Sequence, residues 1–202
     1  MRTKSSAKRQ AILDVAAQTF RQLGFEGASM GEICARVGGS KATLYNYFSS
    51  KEELFFEVIF SSIEEEFETT HAHLDPNSEN IAEALTTFGE GLLRSLYGPG
   101  AIEVRRLIFA ESRRSDLGRI CYERGVKPSH ARLADFLRAA MAQGKLRDAN
   151  SASVAAWHLY GLLDAELFRR CFLCVQETVT EEEIIGCVQR AIAVFMAAYG
   201  KP

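Results

Sequence analysis

Apolar residues recur every three to four positions along almost the whole chain, and this spacing constrains the fold of the 202 residues more than any other feature. Strand-like alternation is absent, and the only four prolines lie at positions 76, 99, 128 and 202. A helix buries one such stripe, whereas a half-buried strand buries every second residue. The sequence therefore predicts an all-α fold.

Turn signals divide the first 50 residues into three helices. The first has its apolar stripe at Ile12, Leu13, Ala16, Ala17, Phe20 and Leu23. Gly24 is expected to end this helix. Ser29 is placed to cap a short second helix, with Glu32 at capping-box spacing. Gly38 interrupts that helix, and Ser40 is expected to cap a third short one.

Six longer helical segments are expected after these, at residues 51–73, 81–97, 102–113, 116–143, 152–175 and 181–199. Pro128 should either kink the segment that contains it or mark the start of a helix. The pattern predicts an N-terminal three-helix domain at residues 1–50, a connecting helix at 51–74 and a second helical domain at 75–202.

Charge is distributed unevenly along the chain. Residues 1–50 carry seven basic and three acidic side chains, a net charge of +4, while the remainder carries 17 basic and 23 acidic ones, a net charge of −6. A basic first quarter on an acidic body is expected when only one end of a protein binds a polyanion. Chance variation in a short segment is the alternative.

The cysteines and the apolar runs indicate the compartment. The five cysteines, an odd number, are Cys34, Cys121, Cys171, Cys174 and Cys187. A chain of this size needs no disulfides, so a reducing environment is expected. No apolar run approaches the roughly 18 residues of a membrane span, and we expect a cytoplasmic protein. Cys171 and Cys174 are interpreted as a structural pair, with a redox-sensing thiol switch as the alternative.

Residues 29–48 have the organisation of a helix-turn-helix, in which the second helix enters the DNA major groove. Small or polar residues on its exposed face let the backbone approach the bases, and donors at its ends bind phosphates. Ser40, Lys41, Ala42 and Thr43 fit the first requirement, and Tyr45, Tyr47 and Lys51 fit the second. Leu44 and Phe48 are expected to face the core.

These residues resemble a known family. The pattern R-x-x-I-L-x-x-A-A precedes F-x-x-x-G-F, and A-S-M-x-x-I and G-G-S-K-A-T-L-Y-N-Y-F-x-S-K-E-E-L follow within residues 9–54. Together they resemble the DNA-binding domain of TetR-type bacterial transcriptional regulators, without a gap over about a quarter of the chain. Gly39 departs from the family, which usually has valine or a similar residue there, and this loss is expected to loosen the turn.

The resemblance implies nine DNA-binding residues. Those near the DNA backbone at the start of the second helix are Ser29 and Met30. Those facing the groove are Lys41, Ala42, Thr43 and Asn46, and those binding phosphates are Tyr45, Tyr47 and Lys51. The alternative is that the tyrosines are boundary aromatics and the lysines solvated surface charges.

The second half also resembles this family. The stretches R-R-L-I-F-A-E-S-R-R, G-R-I-C-Y-E-R-G and R-L-A-D-F-L, within residues 102–144, resemble the C-terminal domain of the AefR-like branch. The resemblance implies a domain that dimerises and binds a small apolar or amphipathic effector. Candidate pocket residues are Phe88, Leu92, Phe109, Tyr122, Trp157, His158, Tyr160 and Phe168, with a simple core role as the alternative for each.

Regulators of this type dimerise mainly through their last two helices, here residues 152–175 and 181–199. Both segments are apolar on more than one face. An isolated protomer would leave a large apolar surface in water, so a two-fold dimer is expected. A homodimer could place two recognition helices about 34–36 Å apart, or a multiple of that, on a palindromic site.

The sequence contains no motif that indicates catalysis, a cofactor or a metal site. G-x-x-x-x-G-K-[ST], H-E-x-x-H and G-x-S-x-G are all absent, and Glu68-x-x-His71 lacks the second copy that a di-iron bundle requires. The expected function is that of a ligand-responsive repressor that binds a palindromic operator as a dimer. The alternatives are an activator with the same domain, or a small-molecule-binding or thiol redox-sensing protein with a vestigial DNA-binding domain.

Overall fold

The computed structural model describes residues 5–149 and 151–201. Helices account for 77% of the chain, and the one extended pairing within the described ranges is an isolated bridge between Leu146 and Gly200. The predicted all-α class is confirmed. Two of the basic side chains counted in the first quarter, Arg2 and Lys4, lie outside the described residues.

The helices follow the predicted order. In chain order they are α1 (Ser6–Gly27), α2 (Met30–Val37), α3 (Lys41–Tyr47), α4 (Lys51–Ala72), α5 (Ile81–Tyr97), α6 (Ala101–Glu111), α7 (Leu117–Cys121), α8 (Lys127–Ala142), α9 (Ala152–Asp164), α10 (Phe168–Phe172) and α11 (Glu181–Tyr199), with a π-helical segment, Tyr122–Val126, before α8. They form two compact units. The first contains the residues up to Glu64 together with Glu111–Cys121, and the second contains Glu65–Ala110 and the residues from Tyr122 onward.

The core of the first unit is formed by α1, α2, α3 and the first turns of α4. Its buried side chains include Ile12, Leu13, Ala16, Phe20, Phe25, Ile33, Leu44, Phe48, Leu54 and Phe55. Gly24 has non-helical dihedral angles, with a φ of +70°, and interrupts α1 at a kink, so the regular first helix ends there and one further turn follows. Phe25 then lies beside Phe20, with 6.1 Å between ring centroids, whereas Leu23 is 43% exposed. The prediction that Leu23 belongs to the buried stripe is therefore wrong.

The core of the second unit is formed mainly by α5, α8, α9 and α11. Its fully buried side chains include Leu85, Phe88, Leu93, Leu133, Phe136, Leu137, Leu159, Leu163, Val188 and Phe195. Gly89 lets α5 approach its neighbours closely, because a Cβ atom there would lie 3.0 Å from Leu163 and 3.1 Å from Val188. A larger residue at this position would push α5 away from α9 and α11.

Two of the predicted long helices are divided. Residues 116–143 form α7, the π-helical segment and α8, and Pro128 lies in the first turn of α8, as its lack of an N–H group favours. Residues 152–175 do not form one helix, so that prediction is wrong. The chain leaves α9 after Asp164, whose carboxylate accepts a hydrogen bond from Tyr97 and lies 3.5 Å from the Arg105 guanidinium.

No helix within the described residues has both the length and the apolar character needed to cross a membrane.

Candidate nucleic-acid interface

The helix-turn-helix consists of α2, a short turn and α3, and each helix begins at a serine cap. Ser29 Oγ accepts a hydrogen bond from the Glu32 amide at 3.1 Å, and Ser40 Oγ accepts one from the Thr43 amide at 3.1 Å. Gly38 ends α2 with a φ of +68°, a conformation that L-residues with a side chain rarely adopt. Both predicted caps are confirmed.

Only half of the capping box expected at Ser29 forms. The Glu32 carboxylate accepts a hydrogen bond from Arg36 Nε at 2.7 Å, one turn further along α2. Arg36 also donates to Gln22 Oε1 on α1 at 2.6 Å. The carboxylate therefore contributes to an exposed link between α1 and α2.

The third helix has one buried and one exposed face. Leu44 and Phe48, at i and i+4, are only 3% and 1% exposed and anchor it to the core, as predicted. The exposed side chains are Lys41, Ala42, Tyr45 and Asn46. These positions, i, i+1, i+4 and i+5, follow the helical repeat and form one continuous surface. We call this surface the α3 face.

Thr43 and Tyr47 lie at the margins of the α3 face. Both are half-buried. The Thr43 hydroxyl is 2.9 Å from Ser40 Oγ, so it takes part in the cap of its own helix. The Tyr47 hydroxyl accepts a hydrogen bond from the Ser5 amide at 3.0 Å, at the residue that caps α1.

Lys51 is held by the end of α1. Its Nζ donates a hydrogen bond to the Phe25 carbonyl at 2.8 Å and lies 4.2 Å from the centre of the Phe25 ring. The ammonium group is only partly exposed and has a role within the unit, in addition to any contact with DNA.

The two residues expected at the start of α2 differ in exposure. Ser29 is exposed, whereas the Met30 side chain is only 8% exposed and belongs to the core. The backbone amide of Met30 lies in the first turn of α2, where the helix dipole favours an anion.

One interaction that the sequence analysis missed joins α1 to α4. The Arg9 guanidinium pairs with the Glu57 carboxylate and lies 5.5 Å from the centre of the Phe48 ring. Glu57 is only 8% exposed. Its place in the otherwise apolar run L-F-F-E-V is the signal that could have indicated a buried partner.

The structure does not bring the eight effector-pocket candidates together. Phe88, Trp157 and Tyr160 belong to one aromatic cluster, while Phe109 packs against Phe168 at 6.0 Å and His158 Nδ1 lies 2.5 Å from the Tyr199 hydroxyl. The remaining two are Leu92, half-buried against the core, and Tyr122, which is 47% exposed.

An open groove of about 400 Å³ lies between α9 and α11. Its lining residues are Trp157, His158, Gly161, Leu162, Val194, Phe195, Ala198 and Tyr199. Trp157 is 41% exposed and Val194 is 54% exposed, so large apolar side chains meet solvent there. We call this surface the α9–α11 groove.

The part of the chain that the structure describes contains neither a cluster of metal-binding side chains nor a disulfide. No three His, Cys, Asp or Glu side chains in that part of the chain are grouped to hold a metal ion. All five cysteines are free, with Cys171 buried and Cys174 exposed. Burial raises the pKa of Cys121 to about 11, which keeps this thiol protonated and unreactive near neutral pH.

A capped helix-turn-helix with a polar exposed second helix, followed by a separate helical unit, defines the class of DNA-binding regulators. Two family models match the same two regions. Residues 12–58 match the bacterial regulatory proteins of the tetR family, and residues 83–201 match the C-terminal domain of AefR-like transcriptional repressors. The chain belongs to the TetR family of bacterial transcriptional regulators.

Similar structures cover nearly the whole chain. A TetR-family transcriptional regulator from Mesorhizobium loti is 27% identical, with a TM-score of 0.80 over 99% of this chain and 100% of that one. The flavonoid-responsive regulator FrrA is 31% identical, with a TM-score of 0.75 over 97% of this chain and 98% of that one.

Similarity to curated proteins is confined to a shorter region. The Escherichia coli regulator RutR is 46% identical over 54 residues, which are 27% of this chain and 26% of that protein. The chain thus matches about a quarter of the length of such relatives.

Proposed function

We propose that this regulator is a ligand-responsive repressor that binds a palindromic operator as a homodimer. The observation that carries the DNA-binding part is the α3 face, where Lys41, Ala42, Tyr45 and Asn46 are exposed while Leu44 and Phe48 are buried behind them. A helix of seven residues needs such packing, because an isolated helix of that length is unstable in water.

The proposed roles divide into base and phosphate contacts. Groove contacts come from Lys41, Ala42, Thr43 and Asn46, and phosphate contacts come from Ser29, Tyr45, Tyr47 and Lys51. Met30 contributes through its backbone amide, since its side chain is buried. This division is the one that the resemblance to TetR-type DNA-binding domains implies, and the ammonium, hydroxyl and amide donors in the set can bind phosphate oxygens or base edges.

The proposed dimer uses the α9–α11 groove. Trp157 and Val194 expose apolar surface there, and a second copy would remove it from water. Two-fold symmetry would present two α3 faces to successive major grooves of a palindrome. In this proposal residues 1–50 bind DNA, residues 51–74 form the connecting helix, and residues 75–202 dimerise and bind the effector.

The proposed effector is a small apolar or amphipathic molecule bound in the second unit, and its binding lowers DNA affinity. FrrA, which is similar over nearly the whole chain, is described as flavonoid-responsive, and this makes flavonoids the first class to test. A coupling of about 1–3 kcal/mol between effector and DNA would be ordinary for an allosteric protein. The proposed location is the cytoplasm, where thiols stay reduced and DNA is accessible, and the five free cysteines are consistent with it.

Fluorescence anisotropy with the DNA upstream of the protein's own gene tests the proposal. The wild-type protein should bind this duplex more tightly than a random duplex, and a flavonoid that binds should weaken the complex. Tyr45→Ala should lose affinity for both duplexes, because the exposed hydroxyl binds phosphate. Binding of wild type and Tyr45→Ala at equal strength to every duplex would contradict the proposed interface and favour a vestigial DNA-binding domain.

A further inference from the structure

A buried chain of polar groups connects the last turn of α4 to α8 and α9. His71, on α4, is only 6% exposed. Its Nδ1 lies 2.7 Å from the Phe67 carbonyl, and its Nε2 lies 2.7 Å from Ser129 Oγ on α8. Ser129 Oγ in turn lies 2.5 Å from the Tyr160 hydroxyl on α9.

The chemistry of these groups determines which group donates and which accepts in each of these hydrogen bonds. A carbonyl oxygen only accepts, so His71 Nδ1 must carry a hydrogen and donate a hydrogen bond to the Phe67 carbonyl oxygen. Nε2 of a neutral imidazole then accepts, and the Ser129 hydroxyl must donate to it. Ser129 Oγ is left to accept from the Tyr160 hydroxyl, and each member of the chain is satisfied.

Further contacts fix the same turn of α4. Arg132 on α8 makes two 2.9 Å hydrogen bonds to the Glu68 carboxylate and lies 5.4 Å from the centre of the Phe67 ring. The Thr70 side chain lies so close to Gly91 on α5 that an added Cβ atom at Gly91 would overlap the Thr70 hydroxyl oxygen. The last turn of α4 is thus held by α5, α8 and α9.

The groups that face His71 differ in their effect on its protonation. Glu68 on α4 favours the charged form, whereas Arg132 on α8 disfavours it. On α5 the neighbour is the Phe88 ring, 5.3 Å away, and on α9 it is Tyr160 through Ser129. Burial is the largest influence and lowers the pKa of His71 below its ordinary value.

We propose that Tyr160, Ser129 and His71 form a proton-sensitive latch that fixes the last turn of α4 to α8 and α9 while His71 is neutral. Uptake of a proton converts Nε2 from an acceptor into a donor aimed at Ser129. The Ser129 hydroxyl hydrogen must then turn away from Nε2 and loses its buried acceptor, while Ser129 Oγ still accepts from Tyr160 and a positive charge now lies in a buried site. All members act as positioning residues for α4. The effect on DNA binding rests on the proposed function, but the latch itself does not.

The sign of the pH dependence follows from the direction of the His71 pKa. The unfolded chain takes up a proton near the ordinary pKa of about 6.5, whereas the folded chain does so only at lower pH. The latch therefore contributes its full stability above about pH 6.5 and loses it as the pH falls from there towards the folded-state pKa. Acidification should therefore weaken the hold of α8 and α9 on the last turn of α4.

NMR of the full-length protein tests the latch directly, with the His71 resonances assigned by His71→Gln. At pH 7.5 the ring should be neutral with its proton on Nδ1, and on titration its pKa should lie below that of an unperturbed histidine. Ser129→Ala removes the donor to Nε2 and should raise the pKa of His71. Tyr160→Phe should raise it less, because Ser129 still donates. Ser61→Ala, a matched change at an exposed serine of α4, should leave it unchanged.

Hydrogen exchange at pH 7.5 provides a second readout. In Ser129→Ala the amides of the last turn of α4 should exchange about three- to tenfold faster, the effect of losing one hydrogen bond. If Ser129→Ala does not fold, Tyr160→Phe provides the same comparison. An Nε2–H tautomer, an ordinary His71 pKa, or unchanged exchange in a folded latch variant would overturn the proposal.

DNA binding separates this proposal from the proposed function. If both hold, the affinity for the upstream duplex should change with pH in step with the titration of His71, and Ser129→Ala should shift that profile. An intact latch in a protein that binds no DNA would leave this inference standing and remove the proposed function. Specific DNA binding by a protein whose His71 has an ordinary pKa would support the proposed function and overturn the latch.

Discussion

Leu44 and Tyr45 are adjacent in the sequence, but one is 3% and the other 51% exposed. The sequence alone could predict this difference, since helical spacing determines which side chains face the core. It could not predict the partner of Lys51, because the Phe25 carbonyl becomes available only where α1 bends at Gly24 and ends. Contacts with a specific backbone atom depend on tertiary geometry.

The hydrogen bond from Lys51 to the Phe25 carbonyl leads to a prediction about a single residue. Lys51→Met should lower the free energy of unfolding by about 1–2 kcal/mol, since it removes a charge-assisted hydrogen bond and a cation–π contact. Lys127→Met is the control, because Lys127 is exposed and pairs only one turn away with Glu123. Urea denaturation measures both variants, and equal stability of the two would contradict a structural role for Lys51.

The turn between α2 and α3 contains Gly39, a position where a larger residue could be accommodated. Gly39 lines a small cavity of about 10 Å³ with Ile12, Val37 and Leu44 among its neighbours. An added Cβ would meet nothing within 4 Å, and unlike Gly38 the residue does not have positive φ. The open space shows that a side chain would fit at this position, and the looser turn expected from the sequence stays a prediction.

Gly39→Ala should therefore raise the free energy of unfolding by about 0.4–1 kcal/mol, because alanine restricts the unfolded chain without strain in the turn. Gly38→Ala should lower it, since φ is +68° there. Thermal unfolding of the two neighbouring variants provides the comparison. A loss of stability in Gly39→Ala would mean that the turn needs glycine at both positions.

The break between α9 and α10 marks the limit of sequence-based prediction at the scale of elements. Apolar residues continue at helical spacing through 152–175, and neither glycine nor proline stands between Asp164 and Phe168. Tyr97 and Arg105, far away in the sequence, both bind Asp164 at the point where α9 ends. Tertiary contacts override the local pattern in such a case.

At the scale of the whole molecule, the order of helices and the two regions of the TetR family could be predicted from the sequence, but the arrangement of the eight candidate pocket residues could not. The eight candidate residues were chosen as aromatic or apolar, and the structure divides them among separate clusters. Composition indicates that a residue is apolar, but only packing determines whether it lies in a core, a groove or a cavity.

The proposed dimer predicts a change in oligomeric state. Val194→Asp places a charge in the α9–α11 groove and should convert the dimer into a monomer, because a buried unpaired carboxylate is unfavourable. Val175→Asp is the matched control, since this valine is 77% exposed and lies outside the groove. Analytical ultracentrifugation distinguishes the outcomes. A dimer that survives Val194→Asp would place the dimer interface elsewhere.

The most direct test of the α3 face is the salt dependence of DNA binding by Lys41→Ala and Lys127→Ala. Both variants remove one exposed lysine, so their change in net charge is the same, but only Lys41 lies on the α3 face. Lys41 is proposed to face the groove, where its ammonium group also neutralises the charge of the phosphates on either side, and a lysine that does so contributes about one to the slope of log K against log salt concentration. The slope should fall by about one in Lys41→Ala and stay unchanged in Lys127→Ala. Equal slopes for the two variants would contradict the assignment of the α3 face as the DNA-binding surface.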